Sequence, residues 1–232
     1  MLTAFFLLTL ALVGLISTPH YVQAISQPEE EAASSCNRYL LITARDQYEP
    51  QGPSSAFTGM IQKTLATIPN GGEADIVYPA DPSVNGAHQG LVWLEKYLES
   101  AQKQCPRQEF VLLGYGQGAI LASLAGARYS ASATSGLKAV VLAGNLMHTP
   151  NRQGNVDETG GNSTAGARGA SASDNPLPLN KFAEQGSILD ICYQGDPYCD
   201  FSAADLSAHH KYGSSEGIQS LGASFLITKL RG

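Results

Sequence analysis

The sequence predicts an α/β protein: a three-layer α/β/α sandwich in which helices cover both faces of a central five-stranded parallel sheet. Short apolar runs alternate along the chain with longer segments whose apolar residues recur at helical spacing, the order that right-handed crossovers between parallel strands require. Residues 110–113 are an unbroken apolar run, as expected of a strand buried on both faces. This strand passes through a glycine-rich turn directly into a helix.

The other elements are read from the same two periodicities. Strands are expected over residues 39–43, 74–78, 109–113, 137–142 and 188–192, and helices over residues 56–68, 88–104, 119–127 and 217–229. The first helix should stop at the turn Pro69-Asn70-Gly71-Gly72. Strands and helices therefore alternate from one end of the predicted domain to the other.

The N-terminal residues have the pattern of a signal peptide. Residues 2–16 are almost wholly apolar, and Val22-Gln23-Ala24 offers small residues where a signal peptidase reads, so cleavage is expected after Ala24. A membrane anchor would need about 20 apolar residues, and Pro19 ends this run too soon. We expect a signal peptide over residues 1–24, an acidic lead-in over residues 25–35 and a secreted, extracellular domain over residues 36–232.

Charge and cysteine content narrow the range of partners. A formal net charge of -6 in 232 residues gives no basic surface for nucleic acid, and we expect a monomer that binds neither nucleic acid nor membrane.

Four cysteines in a secreted chain allow three disulfide pairings. Cys192 and Cys199 are close enough to close one loop, which leaves Cys36 and Cys105 as the second pair. No cysteine or histidine spacing indicates zinc, and no metal or cofactor is expected.

Residues 144–186 are too long for an ordinary connection and are rich in Gly, Asn, Ser, Thr and Pro. Two interpretations stay open: a surface excursion, or a loop that borders the functional site. The sequon Asn162-Ser163-Thr164 predicts glycosylation at Asn162.

The glycine-rich turn is Gly114-Tyr115-Gly116-Gln117-Gly118. Its spacing matches Gly-x-Ser-x-Gly, the nucleophile elbow of α/β-hydrolases, but Gly116 stands at the centre. Without an oxygen nucleophile at this position, the chain cannot form the acyl-enzyme of a serine esterase there. The same residues also fit the dinucleotide fingerprint Gly-x-Gly-x-x-Ala, which requires an acidic residue at the end of the next strand. Residues 135–142 contain no such acid, so dinucleotide binding is only a remote alternative.

In an α/β-hydrolase the elbow is followed along the chain by an acid and then by a histidine, and this sequence has the same order. Asp196 lies in the loop between Cys192 and Cys199, directly after a predicted strand, and His209 precedes the last helix. A carboxylate held on such a loop can orient an imidazole and stabilise its charged form. His88 and His148 fit no such arrangement and are expected at the surface.

At these residues the sequence resembles the cutinase and acetylxylan esterase family of secreted fungal serine esterases. The motifs are Ala44-Arg45, Cys105-Pro106, Gly114-Tyr115-x-Gln117-Gly118, Cys-x-x-Gly-Asp-x-x-Cys at 192–199 and His-x-x-Tyr-Gly at 209–213. The resemblance implies an α/β-hydrolase fold over nearly the whole mature chain. It also implies Asp196 as catalytic acid, His209 rather than His210 as base, and the Gln117 N–H and Gln47 as the oxyanion hole.

Family and motif together point to a carboxylic-ester hydrolase scaffold whose nucleophile position is Gly116. We expect a catalytically impaired pseudo-esterase that binds an ester, a polymer fragment or a partner. The alternative is an active hydrolase of cutin, acetylated xylan or small acyl esters, which would need another nucleophile. Ser123 is a poor candidate because it lies two helical turns beyond the elbow.

Overall fold

The computed structural model describes residues 36–129 and 136–231, so the predicted signal peptide and lead-in lie outside it. The strands are β1 (Tyr39–Ala44), β2 (Gly71–Asp75), β3 (Glu109–Tyr115), β4 (Leu137–Ala143), β5 (Asn155–Val156) and β6 (Ile188–Ile191). The helices are α1 (Thr58–Thr67), α2 (Val84–Gln104), α3 (Gln117–Tyr129), α4 (Asn180–Glu184) and α5 (Glu216–Arg231), with a short 3₁₀ helix over Ala208–Lys211. Within this part of the chain, no helix is both long enough and apolar enough to span a membrane.

The strands form one parallel sheet in the order β2-β1-β3-β4-β6-β5. Helices α2 and α3 cover one face, and α1 and α5 cover the other. Alternate residues of each central strand enter the two cores: Ile42, Leu112 and Val140 face α2 and α3, whereas Leu41, Val111 and Val141 face α1 and α5. The predicted three-layer α/β sandwich is therefore confirmed.

The sheet differs from the prediction at both edges. Over residues 36–129 and 136–231 it has six strands rather than five, because β5, inside the 144–186 excursion, pairs with β6. The second strand begins at Gly71, three residues earlier than expected, and pairs with β1 from Tyr39 onward. The Tyr39 ring lies over the start of β2, and a Cβ added to Gly71 would come within 2.1 Å of it. The glycines that were interpreted as a helix stop thus also begin the edge strand.

The 144–186 excursion is fastened to the sheet where His148 and Asp190 form a buried pair. His148, which was expected at the surface, is fully buried, and its Nδ1 lies 3.0 Å from Oδ1 of Asp190 on β6. Asn145 donates to the other Asp190 oxygen at 2.9 Å. Burial lowers the pKa of His148, but the charge of Asp190 and hydrogen bonding to Asp190 and to the Thr164 carbonyl together outweigh burial and raise it. The surface prediction for His148 was wrong because a loop without periodicity gives no sign of an anchoring residue; His88 is exposed, as expected.

Two disulfides link Cys36 to Cys105 and Cys192 to Cys199. The first joins the start of β1 to the end of α2, and the second closes the loop that carries Asp196. Asn162 is exposed in the excursion, and its glycosylation stays a prediction.

Candidate active site

The site lies where the carboxyl ends of the parallel strands meet, the usual place for function in an α/β sheet. Asp46 follows β1, Gly116 follows β3, and Asp196 follows β6. His209 comes from the 3₁₀ helix ahead of α5. The structure therefore brings together Gly116, Asp196 and His209 from three separate parts of the chain.

Gly116 forms a sharp turn between β3 and α3. Its φ of +53° lies in the left-handed region, which glycine adopts at little cost. Its N–H donates to the Ala143 carbonyl at 3.0 Å, and its own carbonyl accepts from the Ala119 N–H, also at 3.0 Å. This backbone is the elbow that the Gly-x-x-x-Gly spacing predicted, without a side chain at its tip.

The carboxylate of Asp46 fills the space beside this glycine. A Cβ added to Gly116 would lie 2.0 Å from Asp46 Oδ1 and 2.2 Å from Cγ. The Gln117 N–H, the predicted oxyanion-hole donor, already donates to Asp46 Oδ1 at 2.7 Å. The register of the sheet explains this position: Ala44 of β1 pairs with Gly114 of β3, so the residues two positions further along stand side by side.

His209 lies between two carboxylates. Its Nδ1 is 2.9 Å from Oδ2 of Asp196, and its Nε2 is 3.1 Å from Oδ2 of Asp46. Burial lowers the pKa of His209, but the hydrogen bonds to Asp196 and Asp46 and their charges outweigh burial and raise it to about 9. At neutral pH the ring is therefore an imidazolium that donates to both carboxylates.

Aromatic side chains fix the imidazole and its acid. The rings of Tyr198 and Tyr115 stack on His209 with centroids 4.0 and 4.9 Å away, and the Tyr115 hydroxyl donates to the His209 carbonyl. The Tyr212 hydroxyl donates to Asp196 Oδ2 at 2.7 Å, and the Tyr198 N–H donates to Oδ1 at 2.9 Å. Asp196 thus receives hydrogen bonds on both oxygens, which holds it in the orientation that His209 needs.

Hydrogen bonds also fix the loop after β1, which carries Asp46. The Asp46 N–H donates to Glu49 Oε2 at 2.7 Å, and Arg45 donates to the Glu49 carbonyl at 2.8 Å. The Arg45 guanidinium also lies over the Tyr78 ring at 4.7 Å. Gln47 follows Asp46 in this turn and is half-buried. Its role as the second half of the oxyanion hole stays a prediction.

Asp46 is the residue that the sequence reasoning missed. Two signals were available: an acid shortly after the first strand, at the functional edge of a parallel sheet, and an elbow whose centre has no side chain. Neither is informative until the register of β1 against β3 is known. In a serine triad, Nε2 of the histidine faces the serine oxygen, whereas in this chain it faces a carboxylate.

A family model described as Cutinase matches residues 35–230. The chain belongs to the cutinase family. Acetylxylan esterase 2 of Talaromyces purpureogenus is 27% identical over 219 residues, covering 84% of this chain and 88% of that protein. Cutinase 11 of Verticillium dahliae is 27% identical over 220 residues, covering 84% and 70%. A solved cutinase-like protein from Cryptococcus sp. superposes with a TM-score of 0.77 at 31% identity, covering 86% of this chain and 98% of that one.

The family is one of serine carboxylic-ester hydrolases with an α/β-hydrolase fold. The fold and the resemblance expected from the sequence are therefore confirmed.

Proposed function

We propose that this protein is a secreted member of the cutinase family that has lost serine ester hydrolysis and binds an ester-bearing molecule, polymer or partner. One observation carries the proposal: the Asp46 carboxylate stands where the elbow side chain would be and accepts from the Gln117 N–H. The donor that should stabilise a developing oxyanion is thus occupied in the resting protein.

Asp46 cannot simply take the place of a serine in ester hydrolysis. Attack of a carboxylate on an ester carbonyl gives a tetrahedral adduct that can expel either the carboxylate or an alkoxide. The carboxylate is by far the weaker base, so the adduct returns to the starting ester. Ser123 is no substitute, because its side chain is buried in α3 about 10 Å along the helix from Gly116.

The loops around the site support a binding role. Single exposed apolar residues are common on protein surfaces and mean little alone. Among the described residues, however, three of the five large exposed apolar side chains, Tyr48, Phe201 and Leu206, belong to the loops that carry Asp46, Asp196 and His209. The names of the two relatives suggest acetylated xylan and cutin as the polymers to test first.

Secretion is part of the same proposal. Two disulfides suit an oxidising compartment, and the predicted signal peptide would deliver the chain there.

The test is hydrolysis of p-nitrophenyl butyrate by the purified protein and by a His209→Ala variant. We expect equal rates, because loss of a triad nucleophile costs about a million-fold in turnover. Mass spectrometry after treatment with an organophosphonate should show no covalent adduct. A rate that depends on His209, together with a phosphonate adduct, would refute the proposal and identify the nucleophile. Retention on cutin or acetylated xylan, measured by co-sedimentation, tests the binding half.

A further inference from the structure

The side chains of Asp46, Asp196 and His209 meet at the site, and they differ in solvent exposure. The side chains of Asp196 and His209 are 0% and 1% exposed, whereas that of Asp46 is 8% exposed. Asp46 is therefore the least enclosed member of this buried group. Its carboxylate is held by the Gln117 N–H on one oxygen and by His209 on the other.

We propose that Asp46 is a carboxylate nucleophile that opens small uncharged epoxides, with His209 and Asp196 completing an Asp-His-Asp hydrolytic triad. This inference rests on the proposed loss of serine chemistry at the same site. Carboxylates act as covalent nucleophiles in other enzymes, and the general signature of a nucleophilic site is a nucleophile beside a base that a third group orients. The distances of 3.1 Å from His209 to Asp46 and 2.9 Å to Asp196 supply both relations.

The electrophile follows from the chemistry of a carboxylate. When the carboxylate attacks an acyl carbon, the adduct expels the carboxylate again. When it attacks a saturated carbon, no such adduct forms, because the bond to the leaving group breaks as the new carbon–oxygen bond is made. In an epoxide the leaving group is a ring oxygen that departs with release of strain and needs a proton. A halide would leave without that proton, so the protonated ring of His209 favours the epoxide.

The first step is alkylation of Asp46. One carboxylate oxygen attacks a ring carbon, the carbon–oxygen bond of the epoxide breaks, and the released oxygen takes the proton of His209. The products are a hydroxyalkyl ester of Asp46 and a neutral imidazole. Esterification also removes one of the two negative charges that raise the pKa of His209, so the ring becomes able to act as a base.

The second step is hydrolysis of that ester by one water molecule. His209 takes a proton from water as the oxygen attacks Cγ of Asp46, and the Gln117 N–H stabilises the oxyanion that forms on Oδ1. The adduct collapses with release of the diol, which takes the proton back from His209. The new carboxylic acid then gives its proton to the ring, which restores the resting state, with one epoxide and one water converted into one diol.

The probe is 1,2-epoxybutane, with the full mature protein, an Asp46→Asn variant and an Asp174→Asn variant as the matched control. Asp174 is an exposed acid, with 97% of its side chain accessible. We expect 1,2-butanediol at a rate at least tenfold above that of Asp46→Asn, and no loss in Asp174→Asn. Circular dichroism and a disulfide map establish that each variant is folded.

A single turnover in water labelled with oxygen-18 tests the route without relying on a variant. Water attacks Cγ, so the label should enter Asp46 and not the first diol. Trypsin should release Asp46 in the peptide 46–63, where Glu49 is the only other acid, and Asp196 in a different peptide. Diol formation no faster than in Asp46→Asn, or label in the first diol instead of Asp46, would overturn the inference.

The ester and phosphonate assays test the loss of serine chemistry, whereas the epoxide assay tests Asp46. A failure of one proposal can therefore be told apart from a failure of the other.

Discussion

Restoring the serine should require two substitutions rather than one. From the sequence, Gly116→Ser alone would rebuild the elbow. In the structure, the new Cβ would lie 2.0 Å from Asp46 Oδ1, so the carboxylate would have to leave its place. We therefore expect Gly116→Ser alone to gain less than tenfold in esterase activity, and the double variant Asp46→Ala, Gly116→Ser to gain at least about 10³-fold.

The stability of the same variants gives a second measure. A serine at a φ of +53° costs about 1–3 kcal/mol in backbone strain. In the single variant, displacing Asp46 also breaks its hydrogen bonds to Gln117 and His209, about 1.5–3 kcal/mol for each charged bond. Asp46→Ala alone loses the same hydrogen bonds. The two single variants therefore each include the cost of these bonds, whereas the double variant loses the bonds only once. The double variant should be more stable than additivity predicts by about 1 kcal/mol or more.

The assays are p-nitrophenyl butyrate hydrolysis, phosphonate labelling of the peptide that contains position 116, and urea unfolding of the parent, both single variants and the double variant. If Gly116→Ser alone is as active as the double variant, the Asp46 carboxylate moves aside freely and does not block the elbow. If the double variant folds with both disulfides and stays inactive, Asp46 is not the main obstacle. Either result would refute this reasoning.

Two further predictions concern stability. The pKa of His209 is raised to about 9 in the folded protein from an unfolded value near 6.5, so its contribution to the free energy of unfolding is complete below pH 6.5 and is lost as pH rises through 9. Urea unfolding should therefore show the free energy of unfolding falling by about 3 kcal/mol between pH 6 and pH 10. The fall should be smaller in Asp46→Asn. A stability that rises over this interval would contradict the assigned charge on the ring. His148→Ala removes the partner of Asp190 Oδ1 and leaves the buried carboxylate with Asn145 and Arg152 on Oδ2 alone, which should cost about 3–5 kcal/mol, whereas His88→Ala at the surface should cost less than about 0.5 kcal/mol. Equal melting temperatures of these two variants would show that the buried pair does not anchor the excursion.

Much of the fold followed from local patterns. Apolar runs bounded by turn residues mark strands, and helical spacing marks helices, because burial on two faces or on one stripe needs those periods. The elbow was predicted for a similar reason, since glycines two positions either side of its centre permit the sharp bend. Two features were beyond this reasoning: β5, which spans only two residues, was not predicted, and the start of β2 was placed three residues late because glycines usually stop an element rather than begin one.

The sequence by itself determined that the elbow has no nucleophile, and it selected Asp196 and His209 as a pair. Only the tertiary structure decided what occupies the vacant position. Asp46 and Gly116 are 70 residues apart, and no local pattern relates them. They become neighbours because β1 and β3 are parallel partners with Ala44 opposite Gly114. Register depends on the packing of both faces of the sheet, which is a property of the assembled layers and not of either strand.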